Sequence, residues 1–275
     1  MTAVADRSRD SLTSLLPGRV QTRREHVWGT VVSLDVRDAD ASEHAVDAAW
    51  ESVRAELHRV DAVYSTFRDD SVISRLRRGG QHLVADDVAE VVDRCLEARR
   101  LTEGAFDPWQ APGGFDPSGL VKGWAADRCA GIVRMHGLRS FTLDAGGDLA
   151  CRGQASPDHD GWPIGITHPD DPMQVAAVVD VVDSAIATSG FSQRGEHVLD
   201  PRTGGAARGA RQATVIGPDG ALSDALATGL MVAGVDGARW FSALPGWSAY
   251  VVDGGLTTAW GPAFETSMPE GAKER

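Results

Sequence analysis

The stretch GAFDPWQAPGGFDPSGLVKGWAAD, residues 104–127, holds two Phe-Asp-Pro turns, Phe106-Asp107-Pro108 and Phe115-Asp116-Pro117. Pro fixes φ and Gly permits positive φ, so Asp-Pro and Gly-Gly pairs punctuate loops. Trp109 and Trp124 stand on either side of the second turn, and the run leads straight into a helix carrying Lys122. Carboxylates, an aromatic face and a lysine at a helix start suit a phosphate-bearing aromatic ligand. The same residues also read as a surface loop with two Asp-Pro turns.

The composition narrows the setting. A chain of 275 residues makes one large domain or two small ones. Apolar residues at 42% and charged residues at 24% are ordinary globular usage, enough for a sizeable core. Lys plus Arg is 27 against 39 Asp plus Glu, so the net charge is −12. An acidic chain repels phosphate backbones, which argues against nucleic acid or an anionic membrane as partner. A negative ligand must then be met by local groups: a lysine, backbone amides or a metal. Cys95, Cys129 and Cys151 have no CxxC spacing, so neither a disulfide framework nor a zinc cluster is expected. Residues 12–16 are too short for a signal-peptide core. Arg23-Arg24 is followed by Glu25 and His26 rather than an apolar run, so no twin-arginine signal is expected. No run is long enough for a membrane span. The expected setting is cytoplasmic.

From the N-terminus, residues 1–24 read as a flexible tail, 25–262 as one domain and 263–275 as a second tail. Residues 26–36 (HVWGTVVSLDV) read as one strand, with Gly29 a bulge or close approach and Trp28 in core packing. A helix over 40–63, with Asp40 and Glu43 at capping-box spacing, buries Val46, Trp50, Val53, Leu57, Val60 and Tyr64. The polar run 65–71 reads as a turn capped by Asp70 or Ser71. A helix over 87–102 has Asp87 and Glu90 at capping spacing, and its Cys95 reads as a small hydrophobe. In a helix over 119–136, Val121, Trp124, Ala125 and Cys129 share the buried side and Ala126 lies elsewhere. Lys122 sits in its first turn, where the positive end of the helix dipole disfavours it. A bound phosphate relieves that conflict; a solvated lysine beside Asp116 is the alternative.

Strands follow at 140–144, 149–153, 162–167, 175–182, 185–188 and 212–216. Gly146-Gly147-Asp148 marks a hairpin or a close backbone approach, and Thr188-Ser189-Gly190 reads as the start of a loop. A helix over 222–233 places Asp224 and Thr228 at i and i+4, on one face. A carboxylate and a hydroxyl so placed can bind a hard divalent cation. Alternatively, Thr228 bonds back to the Asp224 carbonyl. Strands at 248–252 and 256–260 finish an α+β pattern of long helices and non-alternating strands.

Taken in order, several of these pieces form a series: Trp28-Gly29-Thr30; residues 65–74 (STFRDDSVIS); Gly104-Ala105-Phe106-Asp107-Pro108; residues 116–127 (DPSGLVKGWAAD); Asp144-Ala145-Gly146-Gly147-Asp148; Ala187-Thr188-Ser189-Gly190; residues 197–204 (HVLDPRTG); and Ser223-Asp224-Ala225-Leu226-Ala227-Thr228. The series resembles the ApbE-like FAD:protein FMN transferase family over roughly residues 26–260. The resemblance implies an α+β, ApbE/T-fold-like architecture, with mixed antiparallel sheets and packed helices around a central flavin-nucleotide cleft. It implies a Mg²⁺-dependent transfer of FMN from FAD to a Thr or Ser hydroxyl of a target flavoprotein, with release of AMP. The side chains of Asp224 and Thr228 and the carbonyl of Gly119 match the family's metal ligands. Lys122, Asp116, Ala105, Phe106 and Asp107 match its flavin-nucleotide contacts. Phe67 falls where an aromatic packs on the cofactor, Gly146, Gly147 and Asp148 where backbone approaches it, and Trp28 where the family usually has Met. His197 and Asp224 are the two candidates for the base that accepts the acceptor's proton. The segment 109–115 is shorter than the family's, which leaves Trp109 as the expected cover of the flavin ring. The same site would serve a Mg²⁺-dependent FAD pyrophosphatase giving FMN and AMP, or a flavin-binding protein without chemistry.

Overall fold

The computed structural model describes residues 20–80, 86–190, 198–254 and 256–265. A hairpin opens the fold where the sequence reads as one strand. β1 (Gln21–Val27) and β2 (Thr30–Val36) pair antiparallel, with Val27 opposite Thr30. Trp28 and Gly29 connect them at φ of 58° and 71°. Positive φ at both central positions supplies the twist that closes a two-residue hairpin, so Gly29 is a turn residue and not a bulge. Trp28 holds this disfavoured conformation while its ring packs against two core clusters and its Nε1 donates to the Leu57 carbonyl at 3.2 Å. Residues 21–24, expected in the tail, belong to β1.

The helices follow the apolar spacing closely, and their caps follow the expected residues only in part. α1 (Glu43–Tyr64) buries the expected stripe, and Ser42 caps it by accepting from the Ala45 amide at 3.2 Å, in place of Asp40. α2 (Val72–Arg77) is capped by Ser71, which accepts from the Ser74 amide at 3.0 Å. In α3 (Asp86–Leu101) the expected capping pair is used elsewhere. Asp87 pairs with Arg59 of α1, and Glu90 accepts from the Trp124 indole at 2.9 Å. α4 (Ser118–Met135) buries Ala126 together with Val121, Trp124, Ala125 and Cys129. The helix places Ala126 against a second cluster, around Leu34, Val46 and Phe141, on its far flank.

β3 (Phe141–Ala145) and β4 (Asp148–Arg152) form the next hairpin, through Gly146 and Gly147. β5 (Trp162–His168) and β6 (Asp171–Val181) pair with each other as a separate two-stranded sheet. β7 (Ala185–Gly190), β8 (Gln212–Gly217), β9 (Ser248–Asp253) and β10 (Leu256–Trp260) complete the large sheet. Its order is β1-β2-β3-β4-β7-β8-β9-β10, antiparallel throughout. Ser189 and Gly190, expected in a loop, are strand residues opposite Ala213 and Gln212.

Side chains alternate faces along a strand, and here both faces of the sheet's second half are covered. Val215, Ala249 and Val251 join Leu226 and Leu230 of α5 (Gly220–Ala233) in one cluster. Ile216, Tyr250 and Val252 join Trp162, Val179 and Val181 of the small sheet in another. Strands buried on both sides have no reason to alternate, which accounts for their continuous apolar runs. The short α6 (Pro262–Glu265) seats Phe264 against Tyr250, with ring centroids 5.6 Å apart, so the fold extends past the expected boundary at 262. Among the described residues no helix is long and apolar enough to cross a membrane.

Candidate active site

Two helices meet where neither has a side chain. A Cβ at Gly123 of α4 would collide with the Gly220 carbonyl of α5, and one at Gly220 would collide with the carbonyl of Gly123. The close crossing sets Asp224 against the start of α4. The Gly123 amide donates to Asp224 Oδ2 at 3.3 Å, and Lys122 Nζ lies 3.5 Å from the same oxygen. Lys122 also pairs with Asp148, the first residue of β4. One turn earlier Gly119 breaks the helical pattern, at φ −83° and ψ 20°. A Cβ there would stand 3.1 Å from Thr228 Oγ1 and 3.3 Å from the Phe106 ring, so that position too admits only a small residue without adjustment.

These contacts form the floor of a cavity of about 230 Å³. Ala105, Phe106, Asp107 and Asp116 line it from the loop between α3 and α4. Gly119 and Lys122 line it from α4, Asp224 and Thr228 from α5, and Gly146 from the β3–β4 turn. All nine are residues that the sequence singles out. The i, i+4 pair does share a face, and Thr228 Oγ1 meets Ser189 Oγ at 3.3 Å.

Other expected residues lie elsewhere. Phe67 is 91% exposed in the turn before α2 and does not line the cavity, because that turn faces solvent. Trp28 packs in the first hairpin and also stands off the wall. The Gly147 amide is turned back to the Asp144 carboxylate at 2.8 Å. Asp148 pairs with Lys122 and does not line the cavity. Trp109 packs on Phe115, with centroids 5.2 Å apart, and does not cover the opening. His197 lies outside the described residues. The residues just after it, Val198, Leu199 and Pro201, do line the cavity.

Thr188, Ser189 and Gly190 line it from β7, although none was singled out as a site residue. Their motif was visible in the sequence. Its reading as a loop hid the fact that a strand end carries Ser189 to the hydroxyl of Thr228.

Two carboxylates, with side chains 2% and 3% exposed, share the ammonium of Lys122. Burial first, and the charge of Asp224 second, push the Asp148 carboxyl above its ordinary range; Lys122 opposes both. A positive charge beside these carboxylates favours their ionised forms. Among the described residues there is no cluster of three or more His, Cys, Asp or Glu side chains able to cage a metal. Where α4 and α5 cross, the oxygens that face the cavity are the Asp224 carboxylate, the Thr228 hydroxyl with Ser189 Oγ beside it, and backbone. Such a set fits Mg²⁺, which takes few protein ligands and keeps waters or phosphate oxygens, better than it fits Zn²⁺.

The ApbE family profile matches residues 28–114 and 110–251. The FAD:protein FMN transferase of Salmonella typhimurium is 31% identical to this chain, in a match covering 87% of each. That of Escherichia coli K12 is 26% identical, over 79% of each chain. Among solved structures, flavin transferase ApbE from Vibrio cholerae superposes with a TM-score of 0.76 at 22% identity, covering 91% of this chain and 100% of that one. The apo form of Pseudomonas stutzeri flavinyl transferase ApbE gives 0.76 at 23% identity, covering 90% and 96%.

Proposed function

The chain belongs to the ApbE family, and on that premise we propose that it is a Mg²⁺-dependent FAD:protein FMN transferase. It moves FMN from FAD onto a Thr or Ser hydroxyl of a target flavoprotein and releases AMP. The observation that carries this reading is the convergence of nine residues, from Ala105 to Thr228, on one cavity wall.

The reaction exchanges the phosphoanhydride bond of FAD for a phosphoester bond to the acceptor. The acceptor oxygen bonds to the phosphorus of the FMN half, and the bond from that phosphorus to the bridging oxygen breaks. AMP leaves with the bridging oxygen, and the acceptor's proton passes to a base. Asp224 and His197 are the candidates for that base. The ammonium of Lys122 is held by Asp148, and it faces the cavity as a fixed positive charge for the pyrophosphate. Gly146, at φ 76°, lets backbone rather than side chain form that part of the wall. Phe106 and Pro112 give the apolar surface that an aromatic ring requires. Asp224, Thr228 and the Gly119 carbonyl would hold Mg²⁺. When bound, the ion neutralises charge on the pyrophosphate oxygens.

The test is to incubate the full chain with FAD, Mg²⁺ and a flavoprotein acceptor, and to read flavin fluorescence in a denaturing gel. The expected result is a covalent label that requires all three. FMN and AMP accumulating at the same rate with and without acceptor, with no label, would instead identify a pyrophosphatase.

A further inference from the structure

Arg77, the last residue of α2, is not part of the cavity wall, yet it holds one side of that wall in shape. Its Nε donates to the Gly113 carbonyl at 3.0 Å, and its Nη2 donates to the Pro112 carbonyl. Its Nη1 stands 3.9 Å from the Asp116 carboxylate. Pro112 and Asp116 line the cavity. Asp116 also accepts from the Ser118 amide at 3.0 Å, at the start of the helix that carries Gly119 and Lys122. One guanidinium therefore ties the loop to the base of the site.

The loop needs such a tie. Gly113 and Gly114 sit at φ of 84° and 97°, and glycine loses the most freedom on ordering. Across the segment, the Gly114 amide donates to the Ala111 carbonyl and the Asp116 amide to the Pro108 carbonyl, both at 2.9 Å. The anchor is firm by comparison. Ser71, which caps α2, donates to the Ser65 carbonyl at 2.6 Å, and the Arg77 side chain is only 17% exposed.

We propose that Arg77 is a positioning residue for the flavin nucleotide: it pre-orders the 110–116 wall, so that FAD meets a formed surface. This rests on the FAD reading above. A ligand that must itself order a loop binds more weakly by the cost of that ordering, and the loss falls on binding rather than on the chemical step.

The test compares Arg77→Met, Arg77→Lys and Gly113→Ala in the full chain. Arg77→Met keeps the apolar stem and removes the donors. It should raise the KM for FAD, and the Kd for FAD without acceptor, about ten-fold while kcat stays within about two-fold. Arg77→Lys should recover part of the loss. Gly113→Ala keeps the charge, but at φ 84° it strains the loop backbone and also puts a methyl 2.5 Å from Nη2, so it disturbs the same wall from the loop side. It should raise KM in the same way, and the double variant should be no worse than the more affected single one. If Arg77→Met fails to fold, the other two variants decide. Unchanged KM and Kd in the folded variants, or a fall in kcat with KM unmoved, overturns the inference alone. A wild-type chain that binds no FAD overturns the functional reading, and this inference with it.

Discussion

Asp224 is the residue on which the proposed chemistry presses hardest, because it borders Lys122, Gly123 and the cavity at once. Asp224→Asn keeps the volume and an acceptor for the Gly123 amide, and removes the charge. Flavin transfer should fall at least about 100-fold, the scale for losing one preorganised electrostatic group. The melting temperature should not fall, since a carboxylate facing Asp148 has been relieved. Wild-type transfer by this variant would remove Asp224 from the chemistry. The cysteines offer the opposite case. Cys95, Cys129 and Cys151 are fully buried, each in a different core cluster, and burial pushes each thiol up to about 12. A water-soluble disulfide reagent at mildly alkaline pH should find no reactive thiol in the native chain and three after denaturation. Asp224 and Thr228 were legible because helical periodicity fixes which residues share a face. Phe67, Trp28 and Asp148 do not line the cavity, because the order of motifs gives position along the chain and not the direction of a side chain. Phe67 faces solvent, Trp28 packs on the core and Asp148 is buried against Lys122.

Among the elements, the crossing of α4 and α5 decides whether the site exists. Gly123→Ala sets a methyl against the Gly220 carbonyl and 3.1 Å from the Asp224 side chain. Overpacking of this kind costs about 1–3 kcal/mol, and here it also spreads Lys122 from Asp224, so stability and transfer should drop together. Gly131→Ala, in the same helix with nothing within 4 Å, is the control. It should raise stability by about 0.5–1 kcal/mol with transfer unchanged. Thermal melts read beside transfer rates separate the two. Equal stability for both variants would mean that the crossing is slack. Gly123 itself gave no periodic signal: in a helix pattern a glycine reads as a tolerated defect, and only the partner helix reveals its purpose. The first hairpin escaped for a related reason. Asn-Gly announces a two-residue turn, whereas Trp28-Gly29 places a bulky residue at positive φ, which local preference alone disfavours. The long helices were legible in advance because a 22-residue stripe such as that of α1 repeats its period several times.

Over the whole molecule, the net charge of −12 and the Asp224 carboxylate in the cavity can each draw cations, and the two must be told apart. Surface charge is screened by any salt. A cation held by Asp224, Thr228 and Gly119 acts through specific binding to the folded state. Such binding adds RT ln(1 + [L]/Kd), about 2.7 kcal/mol at a hundred times Kd. For a chain of this size that is on the order of 5 °C in melting temperature. Mg²⁺ should therefore raise the midpoint by that order, EDTA should reverse the rise, and a monovalent salt at matched ionic strength should not reproduce it. In Asp224→Asn the Mg²⁺-specific rise should vanish. In Arg77→Met it should persist, because that side chain orders the nucleotide wall and not the ion's ligands. A rise of equal size in the monovalent salt, or one surviving in Asp224→Asn, would place the cation on the acidic surface and leave the floor of the cavity without its metal.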